Sequence, residues 1–182
     1  MVRLRIGLAP TVAVFALAAI ARSASAETEQ AVSIELGYAT YAALGKAMAN
    51  MEPPTLTPTA GAGMRLAYER ALSQELSLRG AVSGGAFVGG GTAYYGEAAV
   101  GVTFRFDVLK YVPYAFAEIG ILERGGGQLT TGMDPVLCLG GGLDVLSSRS
   151  RSWGFEAQLS SFGGATTVFT VGIRGTHRWG FF

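Results

Sequence analysis

The chain has 182 residues, of which 49% are hydrophobic and only 15% are charged, and it contains 27 glycines and one cysteine. This composition is not that of a disordered chain, a coiled coil or a disulfide scaffold. The formal net charge of +1 gives no reason to expect a nucleic-acid partner, because nucleic-acid binding needs a clustered basic face. The length predicts one domain.

Residues 1–26 have the pattern of a secretory signal peptide. Two arginines precede an apolar stretch that ends in the small residues 24–26, and this order matches the charged region, hydrophobic region and cleavage site of an exported protein. A retained membrane anchor is the alternative, but the uncharged run 6–21 is shorter than the roughly 20 residues that a spanning helix needs. We therefore expect cleavage before Glu27 and a mature domain of 27–182.

Beyond residue 30 the sequence alternates between apolar and polar residues with a period of two, which is the signature of β-strands. Within 94–106, for example, Val100 and Val102 share one face while Glu97 and Arg105 share the other. Eight such segments are separated by connections around 44–58, 70–73, 84–93, 107–111, 124–133, 147–152 and 161–166. The stretch 66–79 is rich in helix formers and is also compatible with a short helix.

Alternation alone does not identify the face that meets water, because a soluble sandwich and a membrane barrel give the same pattern with inside and outside exchanged. The polar face consists of Gly, Ala, Ser and Thr with isolated Glu and Arg, whereas Lys46 and Lys110 both fall in connections. Small residues with Arg and Glu suit a narrow barrel lumen. The predicted fold class is all-β, an eight-stranded antiparallel up-and-down transmembrane β-barrel, and ten strands would also fit the length.

The interior of such a barrel is expected to hold a network of ion pairs. An eight-stranded barrel is just filled by side chains, so free diffusion through it is not expected. Arg174 is predicted to bridge Glu156 and Glu35, with Arg65 on the other side of Glu35. The network is either a structural plug or a gate for small ions, and the plug is preferred because breaking a buried pair is costly. The predicted lumen network comprises Glu35, Arg65, Arg79, Glu97, Arg105, Glu118, Glu156 and Arg174.

Aromatic residues concentrate towards both ends of the strands, as two interfacial girdles require, although each of them could instead be a core residue. The residues assigned to one end are Tyr68, Phe104, Phe106, Tyr111, Trp153 and Trp179, and those assigned to the other are Tyr38, Tyr41, Tyr94 and Phe162.

The signal peptide, the eight alternating segments, the short inner turns and a final segment ending RWGFF resemble the small outer-membrane barrels of Gram-negative bacteria, the OmpA-like and OmpX-like group. The resemblance is architectural and covers 31–182. It implies a monomer surrounded by outer-membrane lipid and lipopolysaccharide. It also implies that Phe182 is the assembly signal read by the barrel-insertion machinery. The alternation puts Phe181 rather than Phe182 on the lipid face, which implies a bulge near Gly175 or a short tail.

Catalysis is not expected. His177 invites comparison with barrel enzymes that modify lipid A through a Ser and His pair, but Ser160 and Ser161 are predicted at the opposite end of the barrel, beyond the roughly 3 Å reach of a hydrogen bond. No His, Cys or carboxylate cluster has metal-ligand spacing, so we expect no metal and no cofactor. The lone Cys138 is expected to be buried.

The sequence thus predicts an integral outer-membrane protein with a structural or envelope role and at most a narrow gated conductance. The alternative is a secreted soluble β-barrel that binds a small apolar ligand. An adhesin is a further alternative. It is disfavoured because the connections expected to face outwards, 44–58, 84–93, 124–133 and 161–166, are short and nearly uncharged.

Overall fold

The computed structural model describes residues 28–44, 55–88, 91–106, 110–127, 129–162 and 166–180. Each strand pairs antiparallel with the next, and the last pairs with the first, so the sheet closes into a barrel. The predicted eight-stranded antiparallel barrel is therefore confirmed, and the ten-stranded alternative is wrong. The strands are β1 Gln30–Leu44, β2 Thr55–Ala71, β3 Leu76–Phe87, β4 Ala93–Arg105, β5 Tyr111–Gly126, β6 Gly132–Leu146, β7 Arg151–Phe162 and β8 Thr166–Trp179.

The barrel has two distinct ends. At the terminal end β1 begins and β8 ends, beside the turns 72–75 and 147–150 and the start of β5. At the opposite end, which we call the loop end, β1, β3, β5 and β7 end and β2, β4, β6 and β8 begin.

The stretch 66–79, for which a helix was the alternative, forms strand on both sides of a turn. The backbone N–H groups of Leu72 and Ser73 donate to the carbonyl oxygen of Leu76 and close this turn. The helix is disfavoured because β2 and β3 satisfy their backbone groups against each other and against β1 and β4. No helix in the described part of the chain has the length and apolar content needed to cross a membrane.

The two faces of the sheet have an inverted distribution of polarity. Leu36, Ile119 and Ile173 on the outer face are 59%, 67% and 72% exposed, whereas the inward-facing Glu69 and Glu118 are each 1% exposed. A soluble protein buries its apolar side chains and exposes its charges. The structure is therefore that of a membrane barrel, and it does not fit the alternative of a soluble barrel with an apolar interior.

An apolar layer fills the lumen at the loop end. The strands extend farther into the predicted connections than the sequence indicated, so that Phe87 lies fully buried at the end of β3. Its ring centroid is 4.7 Å from that of Tyr41 and 5.5 Å from that of Tyr95. The assignment of Tyr41 to the outer girdle is wrong, because this residue has the inward parity of Ala39. The apolar layer includes Tyr41, Phe87, Tyr95, Leu122, Leu129, Val136, Cys138 and Val168.

Exposed aromatic side chains form a belt on the outer face of the terminal end. Phe104 and Phe106 pack edge to face with ring centroids 5.0 Å apart, and Tyr111 and Trp153 are more than half exposed. Tyr68 differs from the prediction: it is 4% exposed, and its hydroxyl donates to Oε1 of Gln30 at 3.0 Å.

The last strand is regular as far as Trp179. Gly175 pairs with Ile34 on β1 and with Trp153 on β7 without a shift in register. Of the two alternatives predicted, a bulge near Gly175 or a short tail, the bulge is therefore wrong. The strand stops before Gly180, whose φ of 82° belongs to the left-handed region that favours glycine. Phe182 and the predicted signal peptide 1–26 lie outside the described residues.

Candidate functional site

The charged lumen is the candidate site. The predicted residues Glu35, Arg65, Arg79, Glu97, Arg105, Glu118, Glu156 and Arg174 all face inwards, and only Arg105 exposes as much as 14% of its side chain. Three further buried charges join them: Glu69, Asp144 and Arg178. The sequence carried a signal for these three. Glu69 shares the parity of Arg65 on β2, Arg178 shares that of Arg174 on β8, and Asp144 shares that of Cys138 on β6, which was expected to be buried.

A central ring of four charges occupies the middle of the lumen, and it consists of Glu69, Arg79, Glu156 and Arg174. The Arg79 guanidinium contacts Oε1 of Glu69 at 3.2 Å and Oε1 of Glu156 at 2.6 Å. The Arg174 guanidinium contacts Oε1 of Glu69 at 2.7 Å and Oε2 of Glu156 at 2.9 Å. Each arginine therefore bridges both carboxylates, which offsets the cost of removing these charges from water.

On the loop side of the central ring, Arg65 links four strands. Its guanidinium contacts Glu118, donates to Oε1 of Gln158 and lies 3.2 Å from Oε1 of Glu97. Nε2 of Gln158 also donates to Oε1 of Glu97 at 2.9 Å. Because these residues stand on β2, β4, β5 and β7, the cluster joins opposite walls of the barrel.

On the terminal side the network continues to the rim of the barrel. The Arg105 guanidinium contacts Oε2 of Glu69 at 2.7 Å and Oε1 of Glu29 at 2.8 Å. The Arg178 guanidinium contacts Oδ2 of Asp144 at 2.9 Å. The network therefore extends from the middle of the lumen to the edge at which β1 begins.

Glu35 differs from the prediction. It stands in register with both Arg65 and Arg174, as expected, yet among the described residues it forms no ion pair with either of them. Arg174 bridges Glu156 as predicted, but its second carboxylate is Glu69 and not Glu35. The reason is that strands in a barrel are tilted and staggered, so a long side chain reaches across the lumen to a residue outside its own rung.

A small cavity lies beside Glu35. Oε2 of Glu35 has no hydrogen-bond partner, and the carboxylate lines a cavity of about 10 Å³ together with Ser83, Tyr95 and Thr170. A cavity of this size has room for about one water molecule. Glu35 is thus the carboxylate of the lumen that is paired least well.

Aromatic rings and glycines on β5 and β6 make room for the arginines. The guanidinium carbon of Arg79 lies 4.0 Å from the ring centroid of Phe116, and that of Arg174 lies 4.5 Å from the ring centroid of Tyr114. Such contacts add a cation–π attraction. A Cβ atom added at Gly140 would lie 2.8 Å from Cε1 of Phe116, so this position must be glycine for the ring to lie across the lumen.

The residues considered for catalysis do not meet. His177 is exposed on the outer face at the terminal end and stacks on Trp179, with ring centroids 5.9 Å apart. Ser160 pairs with Val168, nine residues before His177 on β8, which separates them by about 30 Å at roughly 3.3 Å per residue. Cys138 is fully buried, and within the described residues no group of His, Cys, Asp or Glu could hold a metal ion.

No family model matches the chain, and no curated protein matches its sequence. Among solved structures, the barrel is similar to Neisserial surface protein A, with a TM-score of 0.62 and 10% identity over 84% of this chain and 97% of that chain. It is also similar to Ail, the attachment invasion locus protein of Yersinia pestis, in complex with the heparin analogue sucrose octasulfate, with a TM-score of 0.55 and 18% identity over 84% of this chain and 99% of that chain. The barrel is similar as well to the N-terminal β-barrel domain of Pseudomonas aeruginosa OprF, with a TM-score of 0.51 and 10% identity over 84% of this chain and 98% of that chain. The chain therefore has the fold of the small eight-stranded outer-membrane barrels, and its resemblance to the OmpA-like and OmpX-like group is confirmed at the level of the fold.

Proposed function

We propose that the protein is a monomeric integral protein of the bacterial outer membrane that stabilises the envelope as a closed barrel and has no catalytic activity. Segment 1–26 exports it and is then cleaved. The barrel-insertion machinery, reading Phe182, folds it into a membrane of phospholipid and lipopolysaccharide. The terminal end then faces the periplasm, and the loop end faces the outside.

The observation that carries this proposal is the closure of the lumen by two layers. The central ring and Arg65 cross the middle of the lumen, and the apolar layer around Phe87 fills the loop end. An ion in transit would have to separate buried pairs, and removing one partner of such a pair costs about 3–5 kcal/mol. Two layers of different chemistry favour a plug over a gate.

Conductance in planar bilayers tests the closed lumen. The wild-type protein and the single variants Arg79→Ala and Phe87→Ala are each expected to show no stepwise current above the bilayer leak, because one layer remains in each variant. The double variant Arg79→Ala/Phe87→Ala removes a side chain from both layers and is expected to conduct. Lys110→Ala, a change at an exposed turn, is the matched control.

Gel mobility before and after boiling identifies the folded barrel in each preparation. Stable current steps from the folded wild-type protein would contradict the closed lumen. Absence of catalysis is tested separately by incubating the purified protein with lipid A, from which we expect no release of fatty acid because Ser160 and His177 lie far apart.

A further inference from the structure

A cationic patch lies on the outer surface at the terminal end of β7 and β8. Arg151 and His177 are cross-strand partners, and both are exposed, as is Arg149 in the preceding turn. Within the described residues neither arginine forms an ion pair. We call these three residues the basic patch. The charges of the two arginines are available to an anion from outside the chain.

Two tryptophans border the basic patch, Trp153 on its membrane side and Trp179 on its rim side, where Trp179 pairs with Gln30 of β1. Trp153 follows Arg151 on the same face of β7 and is 57% exposed, and Trp179 follows His177 on the same face of β8. Gly175 is the cross-strand partner of Trp153, on the membrane side of His177, and an added Cβ there would meet nothing within 4 Å. Because indole rings prefer the membrane interface, the basic patch lies at the depth of the lipid phosphates, beside a shallow recess.

The outer surface is asymmetric in charge. In the described ranges, the basic side chains that are exposed or face outwards lie at the terminal end, whereas Glu123 faces outwards near the loop end. These basic residues are Arg70, Lys110, Arg149 and Arg151. Glu75 in the turn 72–75 is an exposed acidic residue at the terminal end. The four basic residues outnumber it, so this surface favours anions, and the described part of the loop end offers no equivalent.

We propose that the basic patch binds the phosphate of an anionic phospholipid in the leaflet at the terminal end. Guanidinium groups present paired N–H donors that match phosphate oxygens, and His177 adds a further nitrogen donor. The recess at Gly175 leaves space for the glycerol and the first part of an acyl chain. Assignment of this leaflet to the periplasmic side rests on the proposed function, which places the barrel in the outer membrane.

The protein carries its own probe for this site, because Trp153 and Trp179 are the two tryptophans of its sequence. The mature protein is folded into phosphatidylcholine vesicles that contain a minor fraction of either brominated phosphatidylglycerol or brominated phosphatidylcholine. Bromine quenches the tryptophans on contact. We expect the anionic lipid to bind about fivefold more strongly than the neutral one, the preference that about one cation at an anionic surface provides.

Two variants and a salt series assign the preference to the basic patch. Arg149→Gln/Arg151→Gln is expected to quench equally with both lipids, whereas the matched variant Lys110→Gln keeps the preference. High salt is expected to reduce the preference, because the patch is exposed and therefore screened.

Equal quenching of the folded wild-type barrel by both lipids would overturn the inference and leave the proposed function intact. The same holds if Arg149→Gln/Arg151→Gln retains the preference, or if inorganic phosphate displaces the lipid, since the patch would then be a simple anion site. Failure of the wild-type protein to insert, seen as an unshifted gel band after boiling, would overturn both proposals.

Discussion

Replacing Arg174 by methionine is the most informative perturbation of the central ring. Methionine keeps a long side chain in the lumen but removes the guanidinium that lies 2.7 Å from Oε1 of Glu69 and 2.9 Å from Oε2 of Glu156. The change also removes the cation–π contact with Tyr114 at 4.5 Å. Two buried carboxylates then lose a shared partner in one substitution.

The structure sets the expected magnitude. Removing one partner of a buried ion pair costs about 3–5 kcal/mol. Neither carboxylate becomes unpaired in Arg174→Met, because Glu69 keeps Arg105 at 2.7 Å and Glu156 keeps Arg79 at 2.6 Å. We therefore expect the free energy of unfolding to fall by about 3 kcal/mol, the lower end of that range.

Equilibrium unfolding in guanidinium chloride, followed by tryptophan fluorescence of the protein in detergent micelles, measures this loss. Lys110→Met, at an exposed turn, is the control and should change stability by no more than about 0.5 kcal/mol. If Arg174→Met also unfolds within about 0.5 kcal/mol of the wild type, the central ring does not stabilise the barrel.

Three further outcomes are expected. Glu35→Gln should leave the thermal stability in detergent unchanged or raise it, because this buried carboxylate has an oxygen without a hydrogen-bond partner; a clear loss would contradict this account of the lumen. Val100→Arg, in the middle of β4, should lower the free energy of unfolding in a bilayer by about 2–4 kcal/mol, and Tyr111→Arg, at the terminal end, by about 0–1 kcal/mol, because an arginine costs most at the membrane midplane. Equal losses in unfolding titrations would argue against a lipid-facing outer surface. Gly140→Ala should destabilise by about 1–3 kcal/mol through overpacking, whereas Gly96→Ala, where a Cβ meets nothing within 4 Å, should not; thermal unfolding of both variants tests this difference.

The faces of the strands could be predicted from the sequence because a strand has a period of two and a charge is costly in lipid. Within β4, for instance, Glu97 and Thr103 are buried and Val100 is 56% exposed, so the polar face points inwards and the apolar face outwards, as predicted. The register of β1 was also predictable, since Glu35 does stand opposite Arg65 and Arg174.

The pairing of the charges could not be predicted in the same way. Register determines which backbones are neighbours, but an arginine side chain reaches across a narrow lumen and pairs where it can contact two carboxylates. For that reason Arg174 contacts Glu69 and not the register partner that the sequence suggested. The apolar layer was not predicted for another reason. The glycines around Phe87 indicated a connection over 84–93, whereas β3 continues to Phe87.

We conclude that the apolar side chains of the barrel face lipid while its charged side chains fill the lumen. A hydrophobic diazirine dissolved in the bilayer tests it directly on the wild-type protein, because photolysis labels whatever side chains the lipid touches and mass spectrometry locates the adducts. We expect adducts at Val100, Ile119 and Ile173, which are 56%, 67% and 72% exposed, and none at Arg79 or Glu118, which are each 1% exposed. Adducts at the charged residues, or a folded protein that stays unlabelled in the aqueous phase, would contradict it.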